Sequence, residues 1–505
     1  MKRIACLTLT VAFGAVSFGN VVADTVTYTD GPRFPSVIPT EPADYESIDQ
    51  LQTRMANGDL TSVALVERML ARIEALNKQG PQLNAVIETN PDALTIAAEL
   101  DRLRAAGTVH GPLHGIPVLV KDNIDTADSM QTSAGSLAMV GEPAARDAFV
   151  VERLRLAGAV ILGKSNLSEW SNFRGSNVPP GWSGRGGQTR HPYDLQADPC
   201  GSSSGSTVAV AAGFSPLSVG TETNSSIICP AYRAGVVGIR PTLGLLSRAG
   251  VIPITKRQDT PGPIARNVND AALLLTAMVG TDARDPATYD TPHDVIDYQK
   301  LLDTGALRGK RLGYAEKRRD GSLTRLDPEF RRVASVLESA GAFLLPISST
   351  PRQYTDDEVL LMQVDFKREL ETYLQTRTGI GPKTLGDVIA FNTHTPGETD
   401  YDQVQLQSTD GLDMTQSLYF SYAEELREQA RDMIDSTLRD HALDALIDLS
   451  FGALPGVGAR AGYPGIIVPS GFDPAGLPTG LYFGGTRWSK SSLLSMAYAF
   501  EQERN

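Results

Sequence analysis

From about residue 61 to the C-terminus, short apolar runs bounded by glycine alternate with segments of helical spacing. Leu65, Val66, Met69, Leu70, Ile73 and Leu76 recur at three- and four-residue intervals, which predicts a helix over 61–78 with Gly80 as its stop. LNAVIET reads as a strand, and Asn90-Pro91 opens a helix that ends near Gly107. The run GIPVLV at 115–120 is the length of a buried strand. DAFVVERLRLAGAVILG then reads as helix, glycine stop and strand. The pattern resumes with NVNDAALLLTAMVG as helix, KRLGYAE as strand, and PEFRRVASVLESAGAFLLPI as helix then strand. LDALIDLS, GIIVPSG and GLYFGG read as late strands, with a helix from Ser489. Such alternation implies an α/β fold with a mixed, largely buried sheet. Residues 355–445 are mostly polar with helical spacing, expected as a lid or an inserted helical layer rather than a separate domain.

A chain of 505 residues is long enough for one large α/β domain or two to three average ones. Its start is unlike the rest: MKR, then the apolar run IACLTLTVAFGAVSF, then NVVAD with a small-residue cleavage site ending at Ala23. This is the layout of a secretory signal peptide over 1–23, leaving 24–505 as the mature chain. The alternative is a membrane anchor, but the run is shorter than the ~20 apolar residues a span needs. An exported protein, periplasmic or secreted, is expected. The formal charge is −13, and loss of Lys2 and Arg3 with the leader makes it −15. That balance argues against nucleic acid and against anionic membrane surfaces as partners. Cys6 leaves with the leader, so Cys200 and Cys229 remain, either as one disulfide or as two buried thiols.

The densest chemistry lies between Cys200 and Ala231, where G-S-S-S-G and T-N-S-S-I flank a small-residue segment. Either this is a flexible linker or two hydroxyls are held in a site. Gly201 to Gly205 matches G-x-S-x-G, which would make Ser203 the nucleophile of a strand–turn–helix elbow. The preceding HPYDLQADPC holds two prolines and does not read as a strand, and a histidine base is poorly supplied by His293, His394 and His441. No lysine follows the glycines as in a phosphate loop, and S-x-x-K, H-E-x-x-H and Cys/His metal spacings are absent from the sequence. The remaining base is lysine, which serves when desolvation keeps it neutral. Lys121 closes GIPVLVK, where it either points into a closed pocket or snorkels at a sheet edge.

Read together, GPLHGIPVLVKDNID, GAVILGKSNLSEW, GSSSGSTVAVAAGFSPLSVGTETNSSIICPA and VVGIRPTLGLLSRAGVIPITKRQDTPGPIAR resemble, in order, the core blocks of the amidase signature family. Within that family the chain is most similar to members that act on peptide amides. The resemblance implies one large α/β/α domain and a Ser–Ser–Lys triad, with no metal or organic cofactor. The lysine of the family's K-D-N block falls on Lys121. The first serine of its G-S-S block, held there in a cis peptide, falls on Ser202. The nucleophile falls on Ser226, and the backbone donors before it on Thr223, Asn224 and Ser225. Ser203 either supports Lys121 by hydrogen bonding or caps a turn.

The chain departs from the family where glycines usually precede the nucleophile, since Asn224 and Ser225 stand there. A positive φ at 225 strains serine where glycine is free. The family's frequent arginine two residues after the nucleophile is Ile228. The segment between DALIDLS and GYPGIIVPS is short, which reshapes one wall of the cleft. The expected activity is hydrolysis of a carboxamide, such as the C-terminal amide of peptides. The alternatives are aryl or fatty acyl amides, carbamates or esters, and an inactive binding protein on the same scaffold, which Asn224-Ser225 motivates. Trp170, Phe173 and Trp182 lie near the site by sequence, the two tryptophans reading individually as packing residues. The family's transfer-RNA-dependent relatives are disfavoured by the leader and the charge. Nothing in the sequence fixes an oligomeric state.

Overall fold

A computed structural model describes residues 38–292, 297–318, 320–348, 356–449 and 453–504. The expected leader at 1–23 lies outside the described residues, as does His293.

Among the described residues the first α-helices are α1 (Ile48–Asn57) and α2 (Ser62–Ile73), and α2 continues as a wider turn to Lys78. The apolar spacing over 61–78 is therefore one continuous structure, capped at its start by the Thr61 hydroxyl on the Ala64 amide. Strand β1 (Val86–Thr89), helix α3 (Ala93–Ala105), strand β2 (Pro117–Lys121), helix α4 (Phe149–Leu156) and strand β3 (Val160–Ser165) follow. A single turn α5 (Glu169–Asn172) and a small ribbon of β4 (Trp182–Ser183) and β5 (Gly187–Gln188) lead to the serine-rich region. That region is helix α6 (Ser204–Ala211), strand β6 (Leu217–Glu222), helix α7 (Ile228–Ala234) and strand β7 (Val237–Arg240). Strand β8 (Thr260–Ala265), helix α8 (Val268–Met278), strand β9 (Arg311–Ala315), helix α9 (Pro328–Ser339) and strand β10 (Phe343–Ile347) come next. Four helices fill the polar stretch: α10 (Asp356–Thr376), α11 (Leu385–His394), α12 (Val404–Asp410) and α13 (Gln416–Asp440). Strand β11 (Ala445–Asp448), helix α14 (Ala453–Ala461), the hairpin β12 (Gly465–Phe472) and β13 (Pro478–Gly484), and helix α15 (Lys490–Arg504) complete the order. His441 caps the end of α13, away from any catalytic loop.

Eleven strands form one mixed sheet in the order β1-β3-β2-β6-β8-β7-β12-β13-β11-β9-β10. The two ends are parallel in part: β3, β2 and β6 run together, as do β11, β9 and β10. The middle is antiparallel. Alternation along the strands divides two cores, as side chains at successive positions point to opposite faces. On β13, Leu481 and Phe483 pack with α8, α9 and α15, while Tyr482 packs with α7, α13 and α14. On β12, Ile466 and Val468 take the first side and Ile467 the second. The architecture is thus a single α/β domain with helices on both faces of a buried sheet. Helices α10 to α12 share a third core with Leu167, Trp170 and Phe173, which pins the helical stretch onto the domain.

Candidate active site

Lys121 ends β2 and is fully buried. Its Nζ donates to Ser202 Oγ at 2.7 Å, Thr221 Oγ1 at 2.9 Å, Ser203 Oγ at 3.1 Å and the Thr221 carbonyl at 3.3 Å. No carboxylate touches it among the described residues. Burial therefore lowers its pKa to about 7, against an opposing pull from Asp259 and Glu222. The closed-pocket reading of Lys121 holds, and the sheet-edge reading does not.

The G-S-S-S-G run is shaped by close approach rather than by a nucleophile elbow. A Cβ at Gly201 would lie 2.2 Å from Ser168 Oγ, and one at Gly205 would lie 2.4 Å from the Ala85 carbonyl oxygen. Only glycine lets this loop and the start of α6 sit so near their neighbours. The Gly201–Ser202 peptide is cis. Ser203 stands at the start of α6, yet its side chain makes no capping bond. It donates to the Thr221 carbonyl at 2.9 Å and accepts from Lys121, so it supports the lysine.

The second serine loop spans the gap between β6 and α7. Glu222, buried at the end of β6, accepts from the amides of Ile227 and Ile228 at 2.7 and 3.0 Å. This pins both ends of the loop to one carboxylate, whose buried counter-ion is Arg240 at 3.4 Å. Arg240 Nη1 also donates to the carbonyls of Glu222 and Thr223 at 3.2 and 3.4 Å. In a planar trans peptide the N–H points opposite the C=O. Holding those two carbonyls on one side turns the amides of Thr223 and Asn224 to the other. Among the described residues, none of the amides from Thr223 to Ser226 has a hydrogen-bond acceptor. Ser225 sits at φ +62°, the left-handed conformation for which glycine is better suited.

The two loops are joined directly. The Ser203 amide donates to the Ser226 carbonyl at 3.0 Å. Cys200 and Cys229 form a disulfide with Cα atoms 5.9 Å apart, which decides between the bonded and free forms. Ser226 lies at the edge of the pocket, 7% exposed, and its hydroxyl makes no hydrogen bond to any described residue. The structure therefore forms the Lys121–Ser202 contact and brings Ser226 alongside through the backbone, without a Ser202–Ser226 hydrogen bond.

Sequence reasoning does not point to Thr221, Asn123 or Asp259. Thr221 Oγ1 receives both Lys121 and Asn123 Nδ2, the latter at 3.0 Å. Asp259 accepts from Thr223 Oγ1 at 2.6 Å and from the Ile254 and Thr255 amides, and burial lifts its pKa to about 6. Trp170, Phe173 and Trp182 are all buried packing groups. The first two pack on Phe366, and Trp182 stacks near Arg174 and Tyr401. Among the described residues no group of His, Cys, Asp and Glu could hold a metal ion, and no helix is long and apolar enough to cross a membrane.

A model of the amidase family matches residues 64–455. The structure is similar to that of native peptide amidase from Stenotrophomonas maltophilia, with a TM-score of 0.87 and 46% identity, covering 91% of this chain and 97% of that one. It is also similar to a peptide amidase in complex with the competitive inhibitor chymostatin, with a TM-score of 0.86 and 45% identity over 92% of this chain and 98% of that one. Among sequences, a probable amidase of Arabidopsis thaliana is 42% identical over 90% of this chain and 89% of its own length. The chain belongs to the amidase signature family and is a hydrolase acting on amides.

Proposed function

We propose that the protein hydrolyses carboxamides, including the C-terminal amide of peptides, through a Ser226–Ser202–Lys121 triad and an acyl-enzyme. The observation that carries this reading is the contact of 2.7 Å between Ser202 Oγ and a buried Lys121 amine whose pKa lies near 7. A serine hydroxyl alone is a weak nucleophile and needs an adjacent base. Neutral Lys121 takes the Ser202 proton while Ser202 takes that of Ser226, and Ser226 Oγ bonds to the amide carbon. The Ser226–Ser202 leg closes when substrate fills the cleft, since catalytic hydrogen bonds often tighten only in the complex. The negative charge on the carbonyl oxygen falls to the unpartnered amides among Thr223, Asn224, Ser225 and Ser226. Each such donor is worth roughly 3 kcal/mol. The relay then runs backwards, its proton goes to the departing nitrogen, and ammonia leaves with an ester on Ser226. Water attacks that ester by the same relay and frees the acid.

Similarity to peptide amidases favours peptide amides as substrates. The Asn224-Ser225 pair does not argue for an inactive scaffold: Ser225 reaches the left-handed conformation and leaves its amide open. The Cys200–Cys229 disulfide supports an oxidising compartment and hence the export expected from residues 1–23. The test is ammonia release from a peptide amide by wild type and by Ser226→Ala. The expected result is release by the wild type and a loss of at least ~10⁴-fold in the variant. Equal release by the two proteins refutes the assignment.

A further inference from the structure

The loop before Ser226 carries side chains where glycines would turn freely, and they are joined in a chain. Ser225, at φ +62°, donates from its Oγ to Asn224 Oδ1 at 3.3 Å. Asn224 Nδ2 donates in turn to Glu358 Oε1 at 3.1 Å. Glu358 stands in the first turn of α10 and is buried. Its Oε1 also accepts from Gln258 Nε2 at 3.2 Å, and its Oε2 accepts from Arg460 Nη1 of α14 at 2.6 Å. Gln258 Nε2 reaches back to the Thr223 carbonyl at 3.5 Å. One carboxylate of the helical layer thus gathers donors from the serine loop, from the segment before β8 and from α14.

The rest of the loop is held by its backbone. Glu222 takes the amides of Ile227 and Ile228, Arg240 takes the carbonyls of Glu222 and Thr223, and the Cys229 amide donates to the Ser225 carbonyl at 2.9 Å. Asn224 differs: among the described residues it makes hydrogen bonds through its side chain alone. A serine in the left-handed region persists only where its surroundings enforce that conformation. The link from Ser225 through Asn224 to Glu358 supplies such a hold at the point the backbone contacts leave open. It calls for a carboxylate, since both oxygens of Glu358 face donors and an amide would turn its own NH2 group against one set.

We propose that Glu358 is a positioning residue for the oxyanion loop: through Asn224 it holds the left-handed turn at Ser225 and keeps the amides from Thr223 to Ser226 in place. This rests on the reading above, in which those amides take the charge of the carbonyl oxygen. That charge develops only in the transition state, so the seating of α10 sets the rate of the chemical step rather than the binding of substrate.

Steady-state kinetics on a peptide amide, expressed per folded molecule, test the link. Asn224→Ala cuts it and is expected to lower kcat about tenfold, with KM near that of wild type. Glu358→Gln is expected to do the same. In a Ser225→Gly background, where glycine takes the turn unaided, each substitution is expected to cost less than about twofold. An unchanged kcat in Asn224→Ala, a rise in KM alone, or a loss of the same size in the Ser225→Gly background overturns the proposal. So does a Glu358→Gln variant that keeps the wild-type kcat while Asn224→Ala loses it. Failure of the amidase reading shows separately, as no ammonia release by the wild type.

Discussion

Lys121 and Lys164 lie on adjacent parallel strands, one register step apart, and both are fully buried. Burial pushes both amines below the usual lysine range, but their surroundings differ. Around Lys164, the pull of Asp122, Asp125 and Asp128 opposes burial, and the Nζ is tied to the Ile124 carbonyl at 2.5 Å and Thr132 at 2.9 Å. Around Lys121 the contacts are three hydroxyls and a carbonyl, and the carboxylates of Asp259 and Glu222 act without touching it. Depth alone does not make a base. Aspartates act on Lys164 without touching it, and its contacts are a backbone carbonyl and one threonine, whereas the hydroxyls on Lys121 include that of Ser202, which stands beside the Ser226 loop.

The largest test of this contrast is Lys121→Met, which keeps the volume and removes the proposed base. It should cut kcat/KM by roughly 10³-fold or more in a folded protein. Lys164→Met should act on stability instead, because it leaves the buried Ile124 carbonyl and Thr132 hydroxyl without their donor, with a loss of about 1–3 kcal/mol by denaturant titration. Its rate per folded molecule should stay near that of wild type. An equal rate loss in both variants would erase the distinction. The Cys200–Cys229 link separates the two regions further, since it ties together the loops that hold Ser202 and Ser226. Its removal by Cys229→Ser should cost about 2–4 kcal/mol of stability and lower the rate of amide hydrolysis. The smallest change expected is Ser225→Gly, which suits φ +62° better and should raise stability by roughly 0.5–1 kcal/mol.

The sequence made β2 legible because an apolar run between glycines has one ready interpretation, and Lys121 came with it. The serine loops were legible as a pair through the family resemblance rather than through periodicity. Strand β6 was not legible: LSVGTE is buried throughout, so small and polar side chains stand where alternation would otherwise signal a strand. Thr221 was hidden for the same reason. Strand β8 carries Pro261 and Pro263, residues that normally argue against a central strand. Its ladder to β7 covers only Ile264 and Ala265, so the missing donors are not needed on that side.

The most direct measurement is the pH dependence of kcat/KM for ammonia release, in wild type and Lys121→Met. A protonated amine accepts no proton, so the wild-type rate should rise with pH on a one-proton slope and level off above about 7. Whatever activity Lys121→Met retains should lack that limb. A wild-type profile that is flat from about pH 5 to 9, or the same limb persisting in Lys121→Met, would contradict the account.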